Sequence, residues 1–210
     1  RSPRTAYIAD VTQSKLVPLP LLVGKVKNRH LDLRSYGLAS GQAAALAEGL
    51  QHVDGLTSAD LSKNKMADGS LAAVVTALSR KKELVALDLA YNDGGRATAH
   101  ALESLLGQPS FLVGLSRLDL TECKLACGGA KILSTGVLGN GTLTKLTLKR
   151  NRIGAVGAAA LGEALALNSS MTELDLSWNV IRGRGSVVLA SSLKGNASLQ
   201  RLNLSWNCLH

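Results

Sequence analysis

The chain has 210 residues, of which 46% are hydrophobic, 19% charged and only 3% aromatic. That is enough apolar material for a continuous core filled by Leu and Ala, while the longest apolar runs, such as Leu16 to Val23, are broken by Pro and too short to span a bilayer. A net charge of +9 points toward acidic partners, and three cysteines with no framework spacing (Cys123, Cys127, Cys208) point to a reducing, cytoplasmic compartment rather than a disulfide scaffold.

Residues 1–28 carry no repeat signature. Pro18-Leu-Pro20 breaks any helix there, while Tyr7, Ile8, Val11, Leu16, Leu19, Leu21, Leu22 and Val26 supply apolar surface for docking. The segment is expected to be an N-terminal cap over the open edge of a repeat array. Its start, Arg1-Ser-Pro-Arg4, has no apolar stretch of the signal-peptide kind.

From residue 29 onward the sequence copies itself. The frame L-x-x-L-x-L-x-x-N stands at Leu84 to Asn92, Leu143 to Asn151, and twice more around Leu174-Asp-Leu-Ser-Trp-Asn179 and Leu202-Asn-Leu-Ser-Trp-Asn207. Weaker copies run from Leu31 to Tyr36, from Leu56 to Asn64 with Ala59 in a Leu position, and from Leu115 to Cys123 with Cys in the Asn position. The final slot falls at 36, 64, 92, 123, 151, 179 and 207, a period of 28 lengthened once by three residues, which Gly107-Gln-Pro-Ser110 is placed to absorb as a loop. Ten and fourteen residues past each slot come Leu46/Leu50, Val74/Leu78, Leu102/Leu106, Leu133/Val137, Leu161/Leu165 and Leu189/Leu193, the spacing of one helix face. Gly41, Gly69, Gly128, Gly157 and Gly185 fall where the chain is expected to bend from strand into helix. Each period is therefore an α/β unit, a short strand, a turn and an amphipathic helix, and neighbours must stack to bury their Leu rows. Residues 29–210 are expected to form about seven such repeats, the last incomplete. The inward row Leu199, Leu202, Leu204 has no helix behind it before His210, so more chain or a partner is expected to cover that end.

Repeats of this length and shape resemble the ribonuclease-inhibitor-type leucine-rich repeat, shared with the Ran GTPase-activating protein and the ligand-sensing region of NOD-like receptors. The resemblance spans roughly residues 28–210. It implies a horseshoe solenoid with parallel strands on the concave side and helices on the convex side. It also implies that Cys123 is an ordinary substitute in the Asn slot, and that Asp between the paired leucines is common. The lead-in, Tyr7, then Leu16-Val-Pro-Leu-Pro20, then Leu31-Asp-Leu33-Arg-Ser-Tyr-Gly-Leu38, resembles that of cytosolic leucine-rich-repeat proteins associated with motile cilia and flagella.

Fold alone does not give function, so the candidate site must come from the outward residues. Those between the paired leucines are Asp32, Asp60, Asp88, Asp119, Thr147, Asp175 and Asn203, which parallel strands about 4.8 Å apart bring into line. A general acid needs an enclosed carboxyl with a raised pKa, which a wide concave face does not offer, so these are read as binding residues. Asp60 and Asp88 have only Ser58, Ser62, Ala86 and Ala90 beside them, whereas Arg117, Lys145, Lys149 and Arg201 flank the later strands. The concave face is thus expected to be acidic at its N-terminal half and basic beyond. Just after the strands, Lys63, Lys65, Lys124, Lys149, Arg150, Arg152, Arg182 and Arg184 are expected to line up as a basic ridge along one rim, with Tyr91, Trp178 and Trp206 on the same rim. Trp and Arg dominate interface hot spots, so this rim is a candidate footprint for an acidic protein. Solvated charge that keeps an Ala-rich solenoid soluble is the plainer alternative. No DNA- or RNA-binding module is recognisable in the sequence, and His30, His52, His100 and His210 are scattered without a metal-ligand spacing, so no nucleic acid, metal or cofactor is expected.

Two functions remain. The first is a non-enzymatic interaction scaffold, a stable subunit of a larger assembly in the cytoskeleton, with the lead-in resemblance pointing to an axoneme. The second is a GTPase activator resembling the Ran activator, with Arg34, Arg96 or Arg117 supplied in trans; that family carries a strongly acidic tail beyond its repeats, which this sequence does not display. A ribonuclease inhibitor, acidic and Cys-rich, is further away still.

Overall fold

A computed structural model describes residues 26–27, 29–108 and 114–209, together with residues 8 and 12. Most of the expected N-terminal cap and part of the Gly107 to Ser110 loop lie outside the described residues.

Strand β1 (Val26–Lys27) runs antiparallel to β2 (His30–Asp32), and from there each period contributes one strand and one helix: α1 (Ser40–Leu50), β3 (Ser58–Asp60), α2 (Asp68–Leu78), β4 (Ala86–Asp88), α3 (Arg96–Leu106), β5 (Arg117–Asp119), α4 (Ala126–Gly139), β6 (Lys145–Thr147), α5 (Ala155–Leu167), β7 (Glu173–Asp175), α6 (Arg184–Ser192) and β8 (Arg201–Asn203). β2 to β8 are parallel and pair strictly in chain order, Leu31 opposite Ala59, Leu87, Leu118, Leu146, Leu174 and Leu202 in turn. The lengthened period keeps this register, Ala86 pairing with Arg117, because α3 ends at Leu106 and the extra residues fall between it and β5.

The parallel strands are only three residues long because one inward apolar residue, Leu in all but β3, is needed between two outward side chains. A single core of Leu rows runs the length of the array, and the helix pairs Leu46/Leu50, Val74/Leu78, Leu102/Leu106, Leu133/Val137 and Leu161/Leu165 are all buried in it. The layer of helices is drawn in tightly. At Gly185 an added Cβ would lie 2.3 Å from the Ala155 Cα, so close approach of α6 to α5 demands glycine there. Gly41, Gly69, Gly128, Gly157 and Gly185 all lie inside the first turns of their helices, not in the bend before them. The left-handed glycine ahead of α6 is Gly183, with φ 52°.

Buried amides hold successive turns together. Asn151 Nδ2 donates to the Leu120 carbonyl of the preceding repeat at 2.7 Å, and its Oδ1 accepts from the Cys123 and Leu125 N–H groups. Asn64, Asn92, Asn179 and Asn207 do the same one repeat apart. In the slot at 123 the Cys Sγ donates to the Leu89 carbonyl at 3.1 Å, and burial pushes its thiol up to about 12. A second ladder, unforeseen from the sequence, lies at the other end of the helices. Asn140, Asn168 and Asn196 donate to Leu106, Val137 and Leu165 carbonyls respectively, and each accepts from the N–H groups two and three residues on.

Candidate functional site

The outward side chains form three columns on the concave face. The first runs His30, Ser58, Ala86, Arg117, Lys145, Glu173, Arg201, and the second runs Asp32, Asp60, Asp88, Asp119, Thr147, Asp175, Asn203. Charges within them are more mixed than the alternation along single strands suggests. Arg34 reaches into the acidic half, its Nε donating to Asp60 Oδ2 at 2.9 Å. Burial raises the Asp60 pKa, but hydrogen bonds from Ser62 and Arg34 outweigh it and hold the carboxyl below its usual range. In the basic half Glu173 sits between Lys145, at 3.1 Å, and Arg201. Those two hydrogen bonds, Arg201 first, lower the Glu173 pKa.

Between these halves lies a depression of about 300 Å³ lined by Asp60, Ala86, Asp88, Arg117, Asp119 and Lys145 among others. The small Ala86 in its lining leaves little bulk beside Asp88. Burial, with the Asp119 and Asp60 carboxylates on either side, raises the Asp88 pKa despite the N–H donated by Ala90. Arg117 lines this depression and is exposed. Asp175 turns inward on its own loop, accepting from the Ser177 N–H at 2.8 Å and from Asn203.

The rim is built by backbone geometry. The residue before each slot, Ser35, Lys63, Tyr91, Glu122, Arg150, Trp178 and Trp206, adopts a left-handed conformation with φ between 54° and 60°. A non-glycine residue is uncommon there. For the first six it is held by an inter-repeat hydrogen bond, such as Lys63 N–H to the Ala90 carbonyl and Trp178 N–H to the Ser205 carbonyl. The twist throws these side chains onto the rim, where several meet their counterparts in the next repeat. Lys63 lies 5.8 Å from the Tyr91 ring centroid. Glu122 pairs with Arg150 at 3.6 Å, Arg150 lies 4.7 Å from the Trp178 ring centroid, and Trp178 stacks on Trp206 with centroids 4.5 Å apart and planes 15° apart. These four residues form one unbroken stack across four repeats.

The remaining sequence-derived rim residues divide among other columns. Lys65, Lys124 and Arg152 follow the slot and are also left-handed; Lys124 is paired with Asp93 at 2.6 Å. Lys149 belongs to the third concave column, which lies two residues past the second and includes Arg34, Ser62 and Ala90, and Arg182 and Arg184 stand further on, beside and within the first turn of α6. The basic residues thus share one side of the molecule without forming one ridge, and the carboxylates Glu122 and Asp93 stand among them. Sequence reasoning passed over both, because single acidic residues in loops carry no periodic signal.

Scanned against known protein families, the sequence matches Leucine Rich repeat over residues 139–162, 167–190 and 195–210. Over these residues the chain is a leucine-rich-repeat solenoid. The earlier periods of the solenoid continue the same strand register and Asn ladder back to β2. A search of curated protein sequences finds no match. Among solved structures, the solenoid is similar to leiomodin-1 actin-binding site 2, at 18% identity over 76% of either chain and a TM-score of 0.47. It is also similar to the plant peptide hormone receptor RGFR1 in complex with RGF2, at 16% identity over 87% of this chain and 35% of the other, with a TM-score of 0.32. Neither likeness bears on what the solenoid binds. Among the described residues no group of three or more metal-ligating side chains is gathered, and no helix is long and apolar enough to cross a membrane.

Proposed function

We propose that the solenoid is a non-enzymatic scaffold that binds an acidic protein partner along its rim, as a stable subunit of a larger cytoskeletal assembly such as an axoneme. The observation that carries this reading is the stack Arg150, Trp178, Trp206. It fixes a guanidinium and two indoles, the side chains most enriched at interface hot spots, in one exposed row with Arg152 and Arg182 nearby. Trp178 and Trp206 remain 40% and 69% exposed although each covers the other. The cytoskeletal setting rests on the lead-in resemblance of residues 7–38.

The reading is tested by sedimentation of the native protein with the cytoskeletal pellet, compared with a variant carrying Lys149→Glu, Arg150→Glu and Arg152→Glu. The native protein is expected in the pellet, released by high salt, and the variant in the supernatant with unchanged helical content. A variant that still pellets refutes rim binding. A native protein that is freely soluble refutes the stable-subunit reading.

A further inference from the structure

The inference drawn here rests on the rim reading and specifies its partner. Two carboxylates already occupy the rim: Glu122 lies 3.6 Å from Arg150, and Asp93 lies 2.6 Å from Lys124. Each pair bridges neighbouring repeats, and all four side chains are about half exposed. Ion pairs so exposed contribute little and exchange readily with other charges. Arg150 is different from an ordinary surface arginine, because the Trp178 ring holds its guanidinium from the opposite side and keeps it in place when its carboxylate is exchanged. Arg152 and Arg182 are exposed alongside, with no ion pair among the described residues.

The indole stack adds a second requirement. Rings stacked 4.5 Å apart turn their edges to solvent, and the edge is the electropositive part of an aromatic ring. Such an edge attracts a carboxylate, and it attracts the face of another aromatic ring in an edge-to-face contact. Val180, half exposed two residues beyond Trp178, extends the apolar surface for such a ring.

We infer that Glu122 and Asp93 are internal stand-ins for a partner's carboxylates. The partner is an acidic peptide segment carrying an aromatic residue. Its carboxylates displace Glu122 from Arg150 and Asp93 from Lys124, and its ring packs on the edges of Trp178 and Trp206. The rim's own acidic residues therefore set the affinity by competition, and exclude segments too weakly charged to displace them.

The test uses two synthetic probes, an oligoglutamate peptide and the same peptide with a central Phe, titrated into the full chain by calorimetry and tryptophan fluorescence. The Phe peptide is expected to bind more tightly, and Trp178→Ala to erase that preference. Glu122→Gln and Asp93→Asn are each expected to tighten binding about two- to fivefold, the worth of an exposed ion pair, and Arg150→Gln to weaken it. Unchanged affinity in both Glu122→Gln and Asp93→Asn overturns the inference, as does equal binding of the two peptides. Tighter binding to phosphatidylserine-containing vesicles than to either peptide overturns it in favour of a membrane surface. If the triple charge reversal abolishes pelleting but Glu122→Gln binds the peptides no more tightly, rim docking stands and the stand-in role fails. If the triple reversal still pellets, the rim reading itself is lost.

Discussion

Asp68, in the first turn of α2, caps the helix of the next repeat: its Oδ1 accepts from the Thr98 N–H at 2.8 Å and the Thr98 hydroxyl at 2.7 Å, and its Oδ2 from the Ala97 N–H at 3.0 Å. No helix among the described residues is capped by the side chain of its own N-cap residue, so here the orphan donors of α3 are satisfied by a neighbour.

Asp68→Ala should accordingly cost about 0.5–2 kcal/mol, the usual worth of an N-cap side chain, measured by chemical denaturation. Burial raises the Asp68 pKa, but hydrogen bonds from Thr98, Ala97 and Gly95 outweigh it and leave the carboxyl below its ordinary value. A depressed folded pKa means that this stabilisation is complete above the unfolded value of about 3.9 and is lost as pH falls through the folded one. The difference between Asp68→Ala and the unaltered protein should therefore shrink on acidification.

Asp88 carries the opposite sign. Its raised pKa means that the folded state binds this proton more tightly than the unfolded chain, so Asp88 gains stability as pH falls and subtracts from it at neutrality. Asp88→Asn keeps an oxygen for the Ala90 N–H and removes the charge between Asp60 and Asp119. The variant should melt higher than the unaltered protein at pH 7 and lose that advantage in acid. A lower melting temperature at pH 7 would show that the Asp88 charge is compensated from elsewhere, such as Arg34.

Asn151→Ala strips partners from the Leu120 carbonyl and from the Cys123 and Leu125 N–H groups, all buried. An unsatisfied buried polar group costs about 1–3 kcal/mol. The variant should lose at least that much in urea denaturation. The same change at Asn207, whose hydrogen bonds to Leu176 and Ile181 are only partly buried, should cost less.

Gly185→Ala places a methyl within 2.3 Å of the Ala155 backbone, which no rotamer change relieves. Overpacking of this kind costs about 1–3 kcal/mol. Gly195→Ala, with open space around it, serves as the control and should leave the melting temperature nearly unchanged.

The fold was legible because a solenoid writes the same constraint every 28 residues. Seven Leu rows and five Asn slots at one period are the signature of a repeat architecture. The second amide ladder was not legible. Among the described residues only Asn140, Asn168 and Asn196 display it; in an earlier repeat its place is taken by Lys81, whose Nζ donates to the Val53 carbonyl at 2.7 Å with its pKa lowered by burial. Three polar residues in loops look like ordinary turn chemistry until the carbonyls they serve are seen. The rim was half legible. Spacing placed Arg150, Trp178 and Trp206 in corresponding positions, but nothing in a Lys, a Glu or a Trp announces left-handed backbone, and that twist makes them a stack. The mixing of charges on the concave face was hidden for a related reason, since Arg34 reaches Asp60 across repeats.

That left-handed column also separates structure from message. Lys, Tyr, Glu, Arg and Trp all occupy one backbone conformation there, anchored at the first six positions through the main-chain N–H rather than through the side chain. The scaffold is therefore indifferent to what is written at those positions. A new recognition surface can be composed one rung at a time, without disturbing a buried atom, like type set in a fixed frame.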